Sequence, residues 1–156
     1  MSQRHASDSK EQQLAEAQVL TGLNAQLQIS MKPGRVDLSE EGGYVAVDGI
    51  DRANRTICEV YCRIGPLKPA QAHKVSSDIL KLTLAAQSLG GTWRKLIAFI
   101  DRQALASVSG RSWRSLAAKQ HGVEFLVVNL PADTLEGILA AQTRQIMVNP
   151  VVGADA

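Results

Sequence analysis

Aromatic residues are scarce in this chain: two Phe, two Trp and two Tyr make up 4% of 156 residues. Leu, Val, Ile and Ala must therefore fill the core, within a hydrophobic fraction of 45% that is ordinary for a globular domain. Cysteine is equally scarce. Cys58 and Cys62 lie four residues apart in a segment that reads as a strand. That spacing puts both on one face but about 13 Å apart, too far for a disulfide. No second Cys/His pair completes a zinc site, so buried thiols in a reducing cytoplasm are expected. No run approaches the roughly 18 apolar residues of a membrane helix. Met1 to Lys10 is polar throughout, which excludes a secretory signal and suggests a disordered leader over residues 1–10. The net charge of +2 implies nothing by itself about nucleic acid. Neither G-x-G-x-x-G nor G-x-x-x-x-G-K-[ST] occurs, and His5, His73 and His121 have no spacing partners for a metal or a triad.

What is present alternates helix and strand, at a length that suits one domain over residues 11–147 with a tail over 148–156. Leu20, Leu23 and Leu27 recur at helical spacing in a first helix from about Glu11 to Gln28, with Glu16 one turn before Leu20. Met31-Lys32-Pro33-Gly34 is expected to stop it, and Arg35–Leu38 reads as a short strand. YVAVDG (Tyr44–Gly49) and TICEVYCRI (Thr56–Ile64) form an antiparallel hairpin. A helix follows from Pro69 to Leu89, with Ala72, Val75, Ile79, Leu82 and Ala86 on its apolar stripe. Gln71, Lys74, Asp78 and Lys81 form an adjoining polar stripe that reads as a solvated face. KLIAFI (Lys95–Ile100) and VEFLVVNL (Val123–Leu130) are buried strands, separated by a helical region over 102–120 broken near Gly110. A last helix covers Ala132–Ile146. Strands separated by helices imply parallel neighbours and an α/β fold.

The hairpin carries the candidate chemistry. Glu59 is a carboxylate in the middle of a strand that otherwise reads as buried. On the partner strand, Val45 and Val47 are expected to face the core with Val60 and Cys62, leaving Asp48 beside Glu59 on the polar side. Two carboxylates held close repel unless a cation or a shared proton intervenes. Mg²⁺ suits such a pair, because it accepts carboxylate oxygens and keeps several waters. Asp51 is an alternative to Asp48, and a surface Glu59–Arg63 ion pair is the simpler reading of the strand.

The stretch VAVDG, nine residues, then EVYCR, followed by KPAQAHK on a helix, resembles the core of the PD-(D/E)XK nuclease superfamily, in particular its small stand-alone bacterial members. The resemblance covers roughly the first hundred residues. It implies a restriction-endonuclease-like mixed sheet, ordered helix, three strands, helix, strand, flanked by helices, with an additional C-terminal helix here. It also implies divalent-metal-dependent hydrolysis of phosphodiester bonds in DNA or RNA. By this resemblance Asp48 and Glu59 would hold Mg²⁺ or Mn²⁺, Val60 would offer its backbone carbonyl, and Glu16 matches an extra acid from the first helix. The lysine of the family's E-x-K tripeptide is replaced by Tyr61, and Arg63, Lys74 or Lys68 is the candidate substitute. Loss of that lysine favours the alternative, a catalytically inactive domain of the same fold that binds nucleic acid or a protein partner. Trp93 and Trp113 lie near Arg94, Arg111 and Arg114 and could stack bases or anchor helices. The apolar tail residues Met147, Val148, Val151 and Val152 either pack on a partner, a homodimer mate or another protein, or lie loose. No membrane association is expected.

Overall fold

The computed structural model describes residues 2–148, with side chains described over 9–146. The elements in chain order are α1 (Ser2–Leu27), β1 (Lys32–Asp37), β2 (Tyr44–Asp51), β3 (Thr56–Tyr61), α2 (Pro69–Leu89), β4 (Arg94–Phe99), α3 (Arg102–Ala106), α4 (Trp113–Gln120), β5 (Val123–Val127) and α5 (Ala132–Val148). The strands form one five-stranded mixed sheet in sequence order. β1–β2 and β2–β3 pair antiparallel, and β3–β4 and β4–β5 pair parallel. The chain is thus an α/β protein, with crossovers where helices separate strands. No described helix is long and apolar enough to cross a membrane.

Residues 2–10, expected as a leader, belong to α1. They contain no Gly or Pro to interrupt a helix. The first break comes at Gln28, whose φ of 57° is left-handed. Pro33 and Gly34 do not form a connecting loop but lie in β1, an edge strand where a missing N–H is tolerated. The helical region after β4 divides as expected, with Gly110 in the left-handed region between α3 and α4. Residues 149–156 of the tail lie outside the described residues.

Both faces of the sheet are covered. One core gathers Val36, Val47, Ile57, Tyr61, Ile97 and Phe99 under the α2 stripe of Val75, Ile79, Leu82 and Ala86. The other gathers Cys58, Val60, Leu96 and Ala98 under Val19, Leu20 and Leu23 of α1 and Ile138 of α5. Alternate residues of β3 and β4 therefore enter opposite cores, and all six residues of β3 are buried. Burying each Leu, Ile or Val contributes roughly 1.5–3 kcal/mol. This corrects the expectation that the hairpin has one apolar and one solvated face. Val47 does not accompany Val60 and Cys62; it faces α2 with Ile57 and Tyr61.

The cause is an irregularity in β2. Against β1, Lys32 pairs with Ile50 and Gly34 pairs with Val47, so Pro33 faces two residues, Asp48 and Gly49. Such a bulge breaks the alternation and re-aims side chains. Val47 and Ile50 consequently both pack on the α2 side although they are an odd three positions apart. Gly49 is required by close approach: a Cβ there would lie 2.7 Å from both Cys58 Sγ and Leu20 Cδ1.

Candidate active site

The bulge delivers Asp48 to the place where β2 and β3 part. Their ladder pairs Asp51 with Thr56, Ile50 with Ile57 and Gly49 with Cys58. Beyond it the Val60 N–H donates to Asp48 Oδ2 at 2.9 Å, so a side chain replaces the main-chain partner. The N–H and C=O of one strand residue point to the same edge. The Val60 carbonyl therefore faces the same opening.

Glu59 lies beside this opening with 2% of its surface exposed. Burial pushes its carboxyl up to about 8, and the adjoining Asp48 carboxyl pushes the same way, against the pull of Lys81. Lys81 of α2 brings its Nζ to 2.6 Å from Glu59 Oε1. The approach is not aligned as a hydrogen bond, and that buried oxygen has no hydrogen-bond partner. For Lys81, burial favours the neutral amine. The close contact with the Glu59 carboxyl, then the charges of Asp78 and Asp48, outweigh it and raise the pKa. Glu16 completes the acidic group from α1. Burial and the Asp48 charge raise its pKa, while Gln12, which donates to Glu16 Oε1 at 3.2 Å, and Lys74 oppose the rise.

The helix stripe expected to be solvated is part of this network. Asp78 is 3% exposed. Its Oδ2 accepts from the Tyr61 hydroxyl at 2.6 Å and lies 3.3 Å from Lys74 Nζ, while its Oδ1 is 3.6 Å from Lys81 Nζ. Tyr61 occupies the position after Val60 as a buried side chain, its ring stacked on Phe99 at 5.4 Å. Burial, then the neighbouring Asp78, raises its pKa, so it stays a neutral phenol. Lys74 Nζ lies 4.9 Å over that ring.

The structure thus brings Asp48, Glu59 and Val60 together, with Glu16 within reach of the Asp48 charge and Lys74 linked to Lys81 through Asp78. Arg63 lies beyond the end of β3, and its Nε donates to the Pro66 carbonyl at 3.0 Å. Lys68 immediately precedes α2 and is exposed. Asp51 is taken up elsewhere: it accepts from Asn54 N, Asn54 Nδ2 and Ser30 N, which hold its carboxyl at about 2. The cation that reaches Glu59 is Lys81, which sequence reasoning left on the outside of the helix. The available signal was the Lys74, Asp78, Lys81 spacing itself, which keeps one helix face beside the apolar stripe.

A cleft of about 250 Å³ opens beside the group, lined by residues including Glu16, Val60, Tyr61, Arg63, Gln71 and Lys74. Four carboxyls (Glu16, Asp48, Glu59, Asp78) face two amines (Lys74, Lys81), an arrangement that favours an added cation. Among the described residues no three His, Cys, Asp or Glu side chains converge as a ready-made metal site. Mg²⁺ does not need such a set, since one or two carboxylates and several waters suffice. The adjoining Asp48 and Glu59 carboxyls fit that requirement, with Glu59 Oε1 engaged only by the Lys81 ammonium. Comparison with known proteins gives no matching family model, no matching curated protein and no matching solved structure.

Proposed function

We propose that this chain is a divalent-metal-dependent nuclease with a restriction-endonuclease-like arrangement, hydrolysing phosphodiester bonds in DNA or RNA. The observation that carries the reading is the Asp48–Glu59 carboxyl pair at the parting of β2 and β3, with the Lys81 ammonium 2.6 Å from Glu59. Asp48, Glu59 and the Val60 carbonyl would hold Mg²⁺ or Mn²⁺, with Glu16 bordering the site. The ion, when bound, lowers the pKa of a coordinated water and neutralises charge on the phosphate. Each of the chain's own residues then has a role. Asp48 stays aligned through its bond from Val60 N–H. Glu59 releases its proton as the cation arrives, since a ligating carboxylate must be ionised. Lys81 is freed from Glu59 and offers its charge to the attacking water or the scissile phosphate. That is the part the replaced E-x-K lysine would play, supplied from α2 instead of β3. Asp78 and the Tyr61 hydroxyl keep the amines over the opening.

The test is cleavage of single-stranded and duplex oligonucleotides in Mg²⁺ or Mn²⁺, against chelator controls. Glu59→Gln should abolish turnover, and Lys81→Met should lower it by about 10²–10³, as loss of a charge-stabilising donor commonly does. Cleavage that persists in chelator or in Glu59→Gln would rule the reading out. A second reading, a non-catalytic nucleic-acid or protein-binding domain of the same arrangement, is favoured by the closeness of the Lys81–Glu59 pair, which already neutralises the acid. Absence of both cleavage and metal binding in wild type would select it.

A further inference from the structure

Residues 102–122 carry Arg102, Arg111, Arg114 and Lys119 but no Asp or Glu, in a chain that has 15 acidic residues. None of these four has a carboxylate ion-pair partner among the described residues. The same segment holds Trp113, the first residue of α4, which is 59% exposed. The other tryptophan is placed differently: Trp93 packs against the core under α2, and its Nε1 donates to the Gly90 carbonyl at 3.0 Å. Of the two, Trp113 is exposed and Trp93 is partly buried.

Arg114 makes that ring a prepared surface. Its Cζ lies 4.6 Å over the Trp113 ring. Its Nε donates to Ser76 Oγ at 2.8 Å, and its Nη2 lies 3.2 Å from His73 Nδ1. The guanidinium is thereby fixed to α2 and lies over the indole, while 59% of Trp113 stays exposed. A large aromatic face held still loses little freedom when a planar group stacks on it. Arg111, two residues before Trp113 in sequence and exposed, adds a second positive charge to the segment. No carboxylate in this segment would repel a phosphate. Stacking needs an unpaired base, because a duplex buries its base faces. An acidic or apolar protein could touch the neighbouring Leu116, also 59% exposed, but would not account for the propped indole among unopposed cations.

We propose that Trp113, propped by Arg114 and flanked by Arg111, is a stacking and phosphate-contact site for single-stranded nucleic acid. The partner is of the class named for the cleft, but the site needs neither metal nor Lys81.

The test is binding of a fluorescent oligothymidylate in chelator, where no metal-dependent cleavage occurs, followed by anisotropy over a salt series. Trp113→Ala should weaken binding by about 5- to 150-fold, the range for loss of one stacked base. Trp113→Tyr, which keeps an aromatic face, should restore most of it. Arg111→Ala should reduce the slope of log K against log salt by about 0.7, the value for one lost phosphate contact on a single strand. A duplex of the same length should bind more weakly than the single strand. Unchanged affinity in Trp113→Ala, absence of binding by wild type, or sensitivity to Leu116→Ser without sensitivity to Arg111→Ala would overturn the proposal. Failure here with Mg²⁺-dependent cleavage intact removes the platform alone. Binding without cleavage removes the nuclease reading alone.

Discussion

Replacing Glu59 by glutamine perturbs a buried carboxyl held between Asp48 and Lys81 while keeping its shape. The buried carboxyl moves from its ordinary 4.5 to about 8, by burial first and Asp48 second. A group whose folded pKa is raised contributes stability that is fully present below its unfolded pKa and is lost as pH rises through the folded value. The affected window is therefore about pH 4.5 to 8. At roughly 1.4 kcal/mol per pH decade, that window corresponds to a loss on the order of 4–5 kcal/mol. Lys81 is already included as the opposing influence. Glutamine cannot ionise, so Glu59→Gln should flatten this part of the profile. Its stability relative to wild type should improve steadily from pH 5 to pH 8.5. Urea unfolding at four pH values, each fitted for midpoint and slope, measures the difference. Parallel pH profiles for the two proteins would refute the reasoning, since they would mean that Glu59 ionises as freely when folded as when unfolded.

Other perturbations probe neighbouring parts of the structure. Tyr61→Phe removes the hydroxyl that donates to buried Asp78 and should destabilise the protein by about 1.5–3 kcal/mol in urea unfolding, the range for a hydrogen bond to a charged group. Gly49→Ala forces a methyl against Cys58 Sγ and Leu20 Cδ1 and should lower stability by about 1–3 kcal/mol. An equal or higher midpoint in that variant would mean the strand and α1 separate easily at the bulge. Thiol labelling of the native protein should modify half-buried Cys62 well before Cys58, whose burial leaves no exposed surface. Equal rates would contradict the packing of β3 against α1.

The elements were legible because their signals are local. The alternation of TICEVY, the continuous KLIAF run and the 75, 79, 82, 86 stripe each follow from one segment's own period. The β2–β3 hairpin followed from its short turn, and the parallel pairing of β3 with β4 from the helix between them. The bulge was not legible, because it depends on Pro33 of the neighbouring strand and not on YVAVDG itself. In the written sequence Val47 and Asp48 alternate in the ordinary way. Burial of the second sheet face was hidden for a similar reason: the Ile57, Glu59 and Tyr61 side is covered only once α2 has folded back over it. Asp48 and Glu59 could be nominated from a motif. Lys81 could not, since a lysine twenty-two residues beyond Glu59 meets it only once α2 has folded back over the sheet.

Binding of Mn²⁺, followed by electron paramagnetic resonance of the free ion at pH 7.5 and 8.5, tests the proposed metal site most directly. Wild type should take up one ion, more tightly at pH 8.5, where the Glu59 proton is already leaving. Asp48→Asn and Glu59→Gln should each weaken uptake at least about 10-fold, as loss of a ligand charge requires. Uptake by wild type that is unaffected in both variants, or no uptake at either pH, would contradict a metal centre at the parting of β2 and β3.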